Sequence, residues 1–318
     1  MVGADTLGVF YPPSGDYPNY SGAAVWIGQV QEITFDQNEG REPTRYIGGG
    51  DRNLDSFLQR TTDYSGRIRY YPQDGKMFAF CVGSISTAAG SVHTISETGG
   101  RVYWGGLELY NGTPNATTGL LRKLNGVNFD RLRIRGRQGE AIEAEIDYAA
   151  GSISNAVAGT KPSVTAATAV PFMWDDTQIK ISGAAWNDTI HSITEFEWEL
   201  NNNLEHPYYL DNTRFKGESI PAEREYSVDL TMYMVQTTGA SLYDSYYFGG
   251  SQFNMEIALA RTSGTDQIRL ICSGCKMTAM EVPLPIEGPV EQTCTMIPQS
   301  CSFIITDNQT YPNWSLAK

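Results

Sequence analysis

Apolar and polar residues alternate with a period of two in pairs of stretches, and the pairs occur twice along the chain. In the first pair, VQEITFDQNEGREPTRYIG from Val30 sends Ile33 and Phe35 one way and Glu32, Thr34 and Asp36 the other. After a polar loop, DYSGRIRYY from Asp63 puts Tyr64, Gly66, Ile68 and Tyr70 on one face. In the second pair, ITEFEWELNNNLEHPYYL from Ile193 sets Phe196 and Trp198 against Glu195, Glu197 and Glu199. EYSVDLTMYM then aligns Tyr226, Val228, Leu230 and Met232. Period-two alternation is the mark of strands buried on one face. Both pairs leave an acidic or polar stripe on the exposed face of the first strand. Each pair is followed by a short amphipathic stretch ending in Gly, GKMFAFCVG and ASLYDSYYFGG. The first of these predicts a short helix with Met77, Phe80 and Cys81 on one side. Leu242, Tyr243, Tyr246 and Tyr247 are the corresponding set. A repeated unit governs the architecture before any single element does. The expected fold is mainly β, with two tandem β-sandwich domains and a short helix in each.

Arg131 to Tyr148 reads as a hairpin. Leu132 and Ile134 alternate with Arg131, Arg133 and Arg135, and after the turn GRQGE the apolar residues alternate with Glu143, Glu145 and Asp147. The basic row is expected to meet the acidic row across the strands, each opposite-charge pair contributing about 0.2–1 kcal/mol. That local neutralisation accounts for the arginines better than a nucleic-acid patch does. The matching place in the second copy, Gly274–Val282 and Val290–Met296 around PLPIEGP, lacks the charge ladder.

Residues 1–23 read as an N-terminal arm, broken by Pro12, Pro13, Gly15, Pro18 and Gly22 and supplied with Phe10, Tyr11, Tyr17 and Tyr20 for docking on a neighbour. Residues 24–150 form the first domain. Residues 151–170 are small, polar and aperiodic, which marks a linker. The second domain spans 171–305, and residues 306–318 form a C-terminal tail. The long loop 44–62 carries Leu54, Phe57 and Leu58 among polar residues, which marks a docking element. Its GGGDRN run lacks the GK[ST] of a phosphate loop.

Composition sharpens this picture. Tyr (18) and Gly (32) favour strands and turns. No run reaches the roughly 18 apolar residues of a membrane span. The N-terminus shows no basic and apolar leader, so assembly in a cytoplasm is expected. A net charge of -13, from 36 acids against 23 bases, argues against a surface that grips nucleic acid. It remains compatible with a wall that DNA passes without sticking.

Catalytic chemistry is sparse. The histidines are His93, His191 and His206, and no HExxH, GxSxG or Walker pattern occurs. No enzyme and no cofactor are expected. Cys272-Ser-Gly-Cys275 with Cys294 and Cys301 admits a zinc site, a disulfide or buried free thiols, and the last needs no further partner. Sequons at Asn19, Asn111, Asn115, Asn187, Asn308 and Asn313 read as polar turns.

These stretches resemble a known family. FEWELNNNLEHPYYL, a polar loop, a Y-x-V-x-L-x strand and LYDSYYFGG are similar to the tail tube proteins of long-tailed bacterial and archaeal viruses. So are ITFDQNEGREPTRYIGG, YSGRIRYYP and FAFCVGS, and LNGVNFDRLRIRGRQGEAIEAEIDYAAG looks like the strand pair that follows them. The resemblance covers about residues 25–305. It implies a structural protein of a non-contractile, siphovirus-like virion tail. The inner sheets would join edge to edge into rings, and the rings would stack into a hollow tube through which viral DNA passes without specific binding. Two domains per chain imply trimeric, pseudo-sixfold rings. The implied partners are further copies of the chain, a tape measure protein and tail-end proteins, with no membrane. On this reading Glu32, Thr34, Asp36, Glu195, Glu197 and Glu199 face the lumen, and Leu54, Phe57 and Leu58 contact the adjacent ring. The cysteine cluster and the absence of an Arg/Glu ladder from the second hairpin depart from the family. The competing expectation is a cell-surface adhesin or shell protein with two β-sandwich domains.

Overall fold

The computed structural model describes residues 5–44, 56–87, 91–97, 102–182, 192–210, 214–233, 246–261, 266–281, 290–307, 309 and 311. Up to the first glycine bend its strands are β1 (Asp5–Tyr11), β2 (Val25–Trp26), β3 (Gln29–Asn38), β4 (Arg41–Thr44), β5 (Ser56–Gln59) and β6 (Asp63–Tyr71). The helix α1 (Lys76–Val82) follows, then β7 (Gly83–Thr87), β8 (Val92–Glu97), β9 (Trp104–Gly112), β10 (Thr118–Arg137), β11 (Glu143–Ala150) and β12 (Ser152–Thr160). After a 3-10 turn at Trp174–Asp176 come β13 (Thr177–Ser182), β14 (Ile193–Asn201), β15 (Leu204–Glu205), β16 (Ile220–Pro221) and β17 (Glu225–Tyr233). The chain continues through β18 (Phe253–Ala260), β19 (Gln267–Glu281), β20 (Glu291–Ile297) and β21 (Ser300–Thr306). The protein is mainly β, with the expected helix at 76–82. Of the corresponding set in the second copy, residues 246–248 form a π turn, while Leu242 and Tyr243 lie outside the described residues.

One sheet forms the inner layer. Its antiparallel order is β3, β6, β11, β10, β14, β17, β20, β19. Two strands of this layer, β10 and β19, are long enough to continue into an outer layer. The first part of β10 lies between β9 and β12, with β1 and β2 beyond β9. The first part of β19 lies between β18 and β21, with β13 beyond β18 and β8 and β7 beyond β21. Both long strands turn at a glycine in the left-handed region, Gly126 at φ 61° and Gly274 at φ 62°. A β-carbon at 126 would press into the Tyr17 ring, and any L-residue is strained at such a φ. The ladder shifts register at both places, so each glycine is a bulge that bends its strand from one layer to the other.

The pairings of the first half recur in the second. The series β3–β6–β11–β10, with β9 and β1, is matched by β14–β17–β20–β19, with β18 and β13. Even the irregularities repeat: between Val30 and Glu32 in β3 and between Ile193 and Glu195 in β14, then between Phe129 and Arg131 in β10 and between Met277 and Ala279 in β19. Among the described residues the strand network is continuous through β10 and β19, yet it does not close. Among the described residues β3 pairs only with β6, and residues 276–281 of β19 pair only with β20. The inner layer is therefore an open sheet with two free edges, not a barrel.

The core lies between the layers and holds the apolar sets read from the alternation. Ile68, Leu132, Ile146, Phe196, Trp198, Val228 and Leu230 are buried in it. Helix α1 buries Met77 through Val82 against β10, β8 and β7. Gly66 is a core-facing gap in β6, filled by the Tyr148 ring, whose hydroxyl donates to the Thr34 carbonyl at 2.8 Å.

Three expectations about the segments between domains change. Part of the expected arm is built into the fold: β1 pairs with β9, and Phe10 is buried against Phe80 and Phe129, with ring centroids 4.2 and 5.0 Å away. The breakers begin only at Pro12, which leaves Asp5–Tyr11 free to form a strand. The expected linker 151–170 contains β12, an edge strand with both faces largely exposed, so it shows no alternation to read. Of the expected tail, residues 308, 310 and 312–318 lie outside the described residues, and Tyr311 is docked. Tyr311 is buried, stacks on His93 at 4.0 Å and donates to Asp307 at 2.9 Å. A further link was not legible in the sequence: the β7–β8 hairpin of the first half extends the outer sheet of the second, through Phe303 opposite Ile95.

Candidate functional site

The inner sheet packs one face on the core and leaves the other polar. Charge on that face alternates strand by strand. Glu32, Thr34 and Asp36 stand on β3, Arg67 and Arg69 on β6, and Glu143, Glu145 and Asp147 on β11. Arg131, Arg133, Arg135 and Arg137 follow on β10, and Glu195, Glu197 and Glu199 on β14. The register sets Arg131 opposite Asp147, Arg133 opposite Glu145 and Arg135 opposite Glu143. The ion pairs, however, run mostly to the strands on the outer sides of this hairpin. Arg131 meets Glu199 at 3.3 Å, Arg133 meets Glu197 and Glu199 at 3.2 and 2.8 Å, and Arg135 meets Glu195 at 2.7 Å. Asp147 instead takes Arg67 at 2.7 Å, and Glu143 takes Arg69 at 3.7 Å. Among the described residues Arg133 alone reaches back across the hairpin, to Glu145 at 3.5 Å. An arginine flanked by acidic rows on both sides chooses the better geometry, and sequence alone showed only one of its two neighbours. Lattices of this kind hold better than isolated surface pairs, which typically contribute about 0–1 kcal/mol each.

Glu195 shows how the lattice holds its acids. Partial burial pushes its carboxyl up, but hydrogen bonds and charge from Arg135 and Arg137 outweigh this and hold it below the ordinary 4.5. A depressed carboxyl adds stability that is complete above its unfolded pKa and is lost as pH falls through the folded value. The stability gap between the parent and Glu195→Gln is therefore expected to be widest near neutrality and to shrink below about pH 4.5. Urea unfolding across that range checks this, and a gap that does not change with pH would refute it.

Two loops project from one end of this sheet. The first carries β4 and β5 and exposes Phe57 and Leu58; Leu54 lies outside the described residues. The second carries β15 and β16 and exposes Tyr208, Tyr209, Leu210, Phe215 and Ile220, with Leu210 wholly in solvent. The loops are joined. Tyr208 donates to the Thr62 carbonyl at 2.7 Å, the Thr62 amide donates to the Arg214 carbonyl at 3.1 Å, and Lys216 pairs with Asp63.

At the opposite end a cleft opens between β14 and the β10–β11 turn, lined by Ile142, Trp174, Ile179, Ile193 and Phe196. A similar cleft lies beside β3, lined by Gly8, Val30, Ile33, Phe35 and Leu109.

Among the described residues no cluster of His, Cys, Asp and Glu is arranged to hold a metal. The cysteines are buried free thiols. Cys272 and Cys301 face each other on β19 and β21 with sulfurs 3.5 Å apart, whereas Cys294 lies in the inner sheet opposite Leu230. Burial pushes the Cys294 thiol up to about 11 and that of Cys275 up to about 12, so both are protonated and unreactive at neutral pH. Among the described residues no helix is long and apolar enough to cross a membrane.

A family model described as phage tail tube protein matches residues 4–303. No curated protein matches the chain. Among solved structures, the hybrid structure of the SPP1 tail tube by solid-state NMR and cryo EM is similar at 16% identity, covering 44% of this chain and 82% of that one, with a TM-score of 0.35.

Proposed function

Since the chain belongs to the phage tail tube protein family and is a structural component of the virion tail, we propose that it polymerises as stacked trimeric rings into the hollow tube through which viral DNA reaches the host. Each half of the chain acts as one tube domain, the first extended by β1 and β12 beyond the boundaries read from sequence. The observation that carries the proposal is the joint between β10 and β14. Two repeated halves already share one inner sheet, and that sheet is still open at both edges. A free edge must be paired or covered, and head-to-tail pairing around a closed rotation makes a ring.

The polar face of the sheet then lines the channel, with Glu32, Thr34, Asp36, Glu195, Glu197 and Glu199 in the lumen. The arginines of that face are already engaged by carboxylates, so they offer passing phosphates no free basic cluster that would release the DNA's counterions. The loops that expose Phe57, Leu58, Tyr209 and Leu210 pack against the adjacent ring. The tape measure protein and tail-end proteins meet the lumen and the ends of the tube.

Electron microscopy of the purified protein, with mass measurement of isolated rings, tests this. Three-chain rings and hollow filaments are expected. A Tyr209→Ser/Leu210→Ser variant is expected to give folded subunits and rings that do not stack. A parent chain that stays monomeric at high concentration would end the proposal. Tubes that retained short duplex DNA at physiological salt would remove the passive-conduit part of it.

A further inference from the structure

We propose that the chain contains an internal copy of the joint it makes with the next chain. On this reading residues 279–281 of β19 pair antiparallel with residues 36–38 of β3 in a second copy. Ala279 stands opposite Asn38, Met280 opposite Gln37 and Glu281 opposite Asp36. The inference rests on the ring reading and specifies which surfaces mate and in what register.

The register follows from the repeated pairings. On β14, Phe196 faces Leu230 and Asn201 faces Glu225; on β3, Ile33 faces Ile68 and Asn38 faces Asp63. Asp36, Gln37 and Asn38 thus hold the places of Glu199, Leu200 and Asn201. On β10, Arg131 follows the bulge and faces Asp147; on β19, Ala279 follows the matching bulge and faces Thr295. Ala279, Met280 and Glu281 thus hold the places of Arg131, Leu132 and Arg133. Inside the chain Arg131 is opposite Asn201, Leu132 opposite Leu200 and Arg133 opposite Glu199. Carrying that register across to the free edges gives the stated pairs.

Burial supports the same assignment independently. In the internal joint the core-facing positions Phe196, Trp198, Leu200 and Leu132 are 3%, 0%, 0% and 0% exposed. Their counterparts at the free edges, Ile33, Phe35 and Met280, are only partly buried, and Gln37 is exposed. The clefts agree. Beside β14 the opening is walled by Gly136, Arg137 and the fully buried Ile142. Beside β3 the corresponding opening has no such wall. The counterpart of Ile142 is Val290, next to the start of β20 and partly buried. In the joint it reaches Val30 and Ile33 of the second copy.

The two joints differ in charge. Arg133 faces Glu199 within the chain, but Glu281 faces Asp36 between chains. Like charges directly opposite one another destabilise a strand pair. The joint between chains is therefore the weaker one and tightens as salt screens the repulsion. Glu281→Arg, which restores the sign found at Arg133, is expected to lower the protein concentration at which rings form by several-fold.

Paired cysteines test the register. Asn38→Cys/Ala279→Cys, both on exposed edges and away from the buried native thiols, is expected to give disulfide-linked chains on oxidation of assembled rings. Asn38→Cys/Glu281→Cys is displaced diagonally by about 7–8 Å and is expected to give none. In the unmodified protein, amides 36–38 and 279–281 are expected to gain hydrogen-exchange protection on assembly. Rings that form with these amides unprotected, or that cross-link only in the displaced pair, would overturn this joint and leave the tube reading standing. A parent chain that forms no rings would overturn the tube reading itself.

Discussion

Trp198→Ala is expected to lower the stability of the folded chain by about 3–5 kcal/mol, the range for removing a large buried aromatic side chain. Trp198 is 0% exposed and lies between the layers, where its ring meets Phe303 edge-on at 5.5 Å and Tyr226 at 6.2 Å. Its backbone sits opposite Ile134 on one side and Val228 on the other, so the cavity would open at the joint between the halves. The indole nitrogen has no hydrogen-bond partner among the described residues, so Trp198→Phe strands no polar group and is expected to lose far less. Urea midpoints at constant slope measure both variants. A loss under about 1 kcal/mol for the alanine variant would mean that the layers collapse into the gap.

Asn202→Ala comes next in expected effect, also at about 3–5 kcal/mol, because it orphans several buried groups at once and each costs about 1–3 kcal/mol. The Asn202 amide donates to the carbonyls of Cys81 and Phe129 at 3.0 and 3.1 Å, and its oxygen accepts from the Arg224 guanidinium at 2.8 Å. Arg224 in turn donates to the Val82 carbonyl at 2.9 Å. The end of β14 is thereby tied to the end of α1 and to the bend of β10. Asn202→Asp keeps the Arg224 contact but turns a carboxylate oxygen toward carbonyls that need a donor, so it is expected to remain destabilising. Thermal unfolding of both variants decides this. A near-parental alanine variant would show that water takes over the amide's bonds.

The sequence disclosed the elements whose burial is one-sided. Ile33 and Phe35, Phe196 and Trp198, and the rows on either side of Arg133 alternate cleanly, because one face meets the core and the other meets water. It did not disclose β12, whose two faces are largely exposed, nor β1, masked by the prolines that follow Tyr11. The polar face was legible as rows of charge, but the choice of Glu199 over Asp147 by Arg131 was not. That choice depends on which strand lies across the joint, a contact between residues far apart in the chain. Asn202 was visible only as part of an Asn-bearing turn; its partners at Cys81 and Phe129 are set by tertiary packing. The loaned β7–β8 hairpin left no signal, since a strand carries no mark of which sheet it will join.

That hairpin sets an order on synthesis. The open edge of β8 belongs to the early part of the chain, and its partner, β21, follows every other described strand. Until Ser300–Thr306 has left the ribosome, the outer layer of the second half lacks the strand that bridges β19 to β8. A chain stopped short of that point exposes unpaired backbone at both sites, the kind of edge that aggregates instead of joining a regular array. β21 therefore covers two edges at once, one on β19 and one on β8.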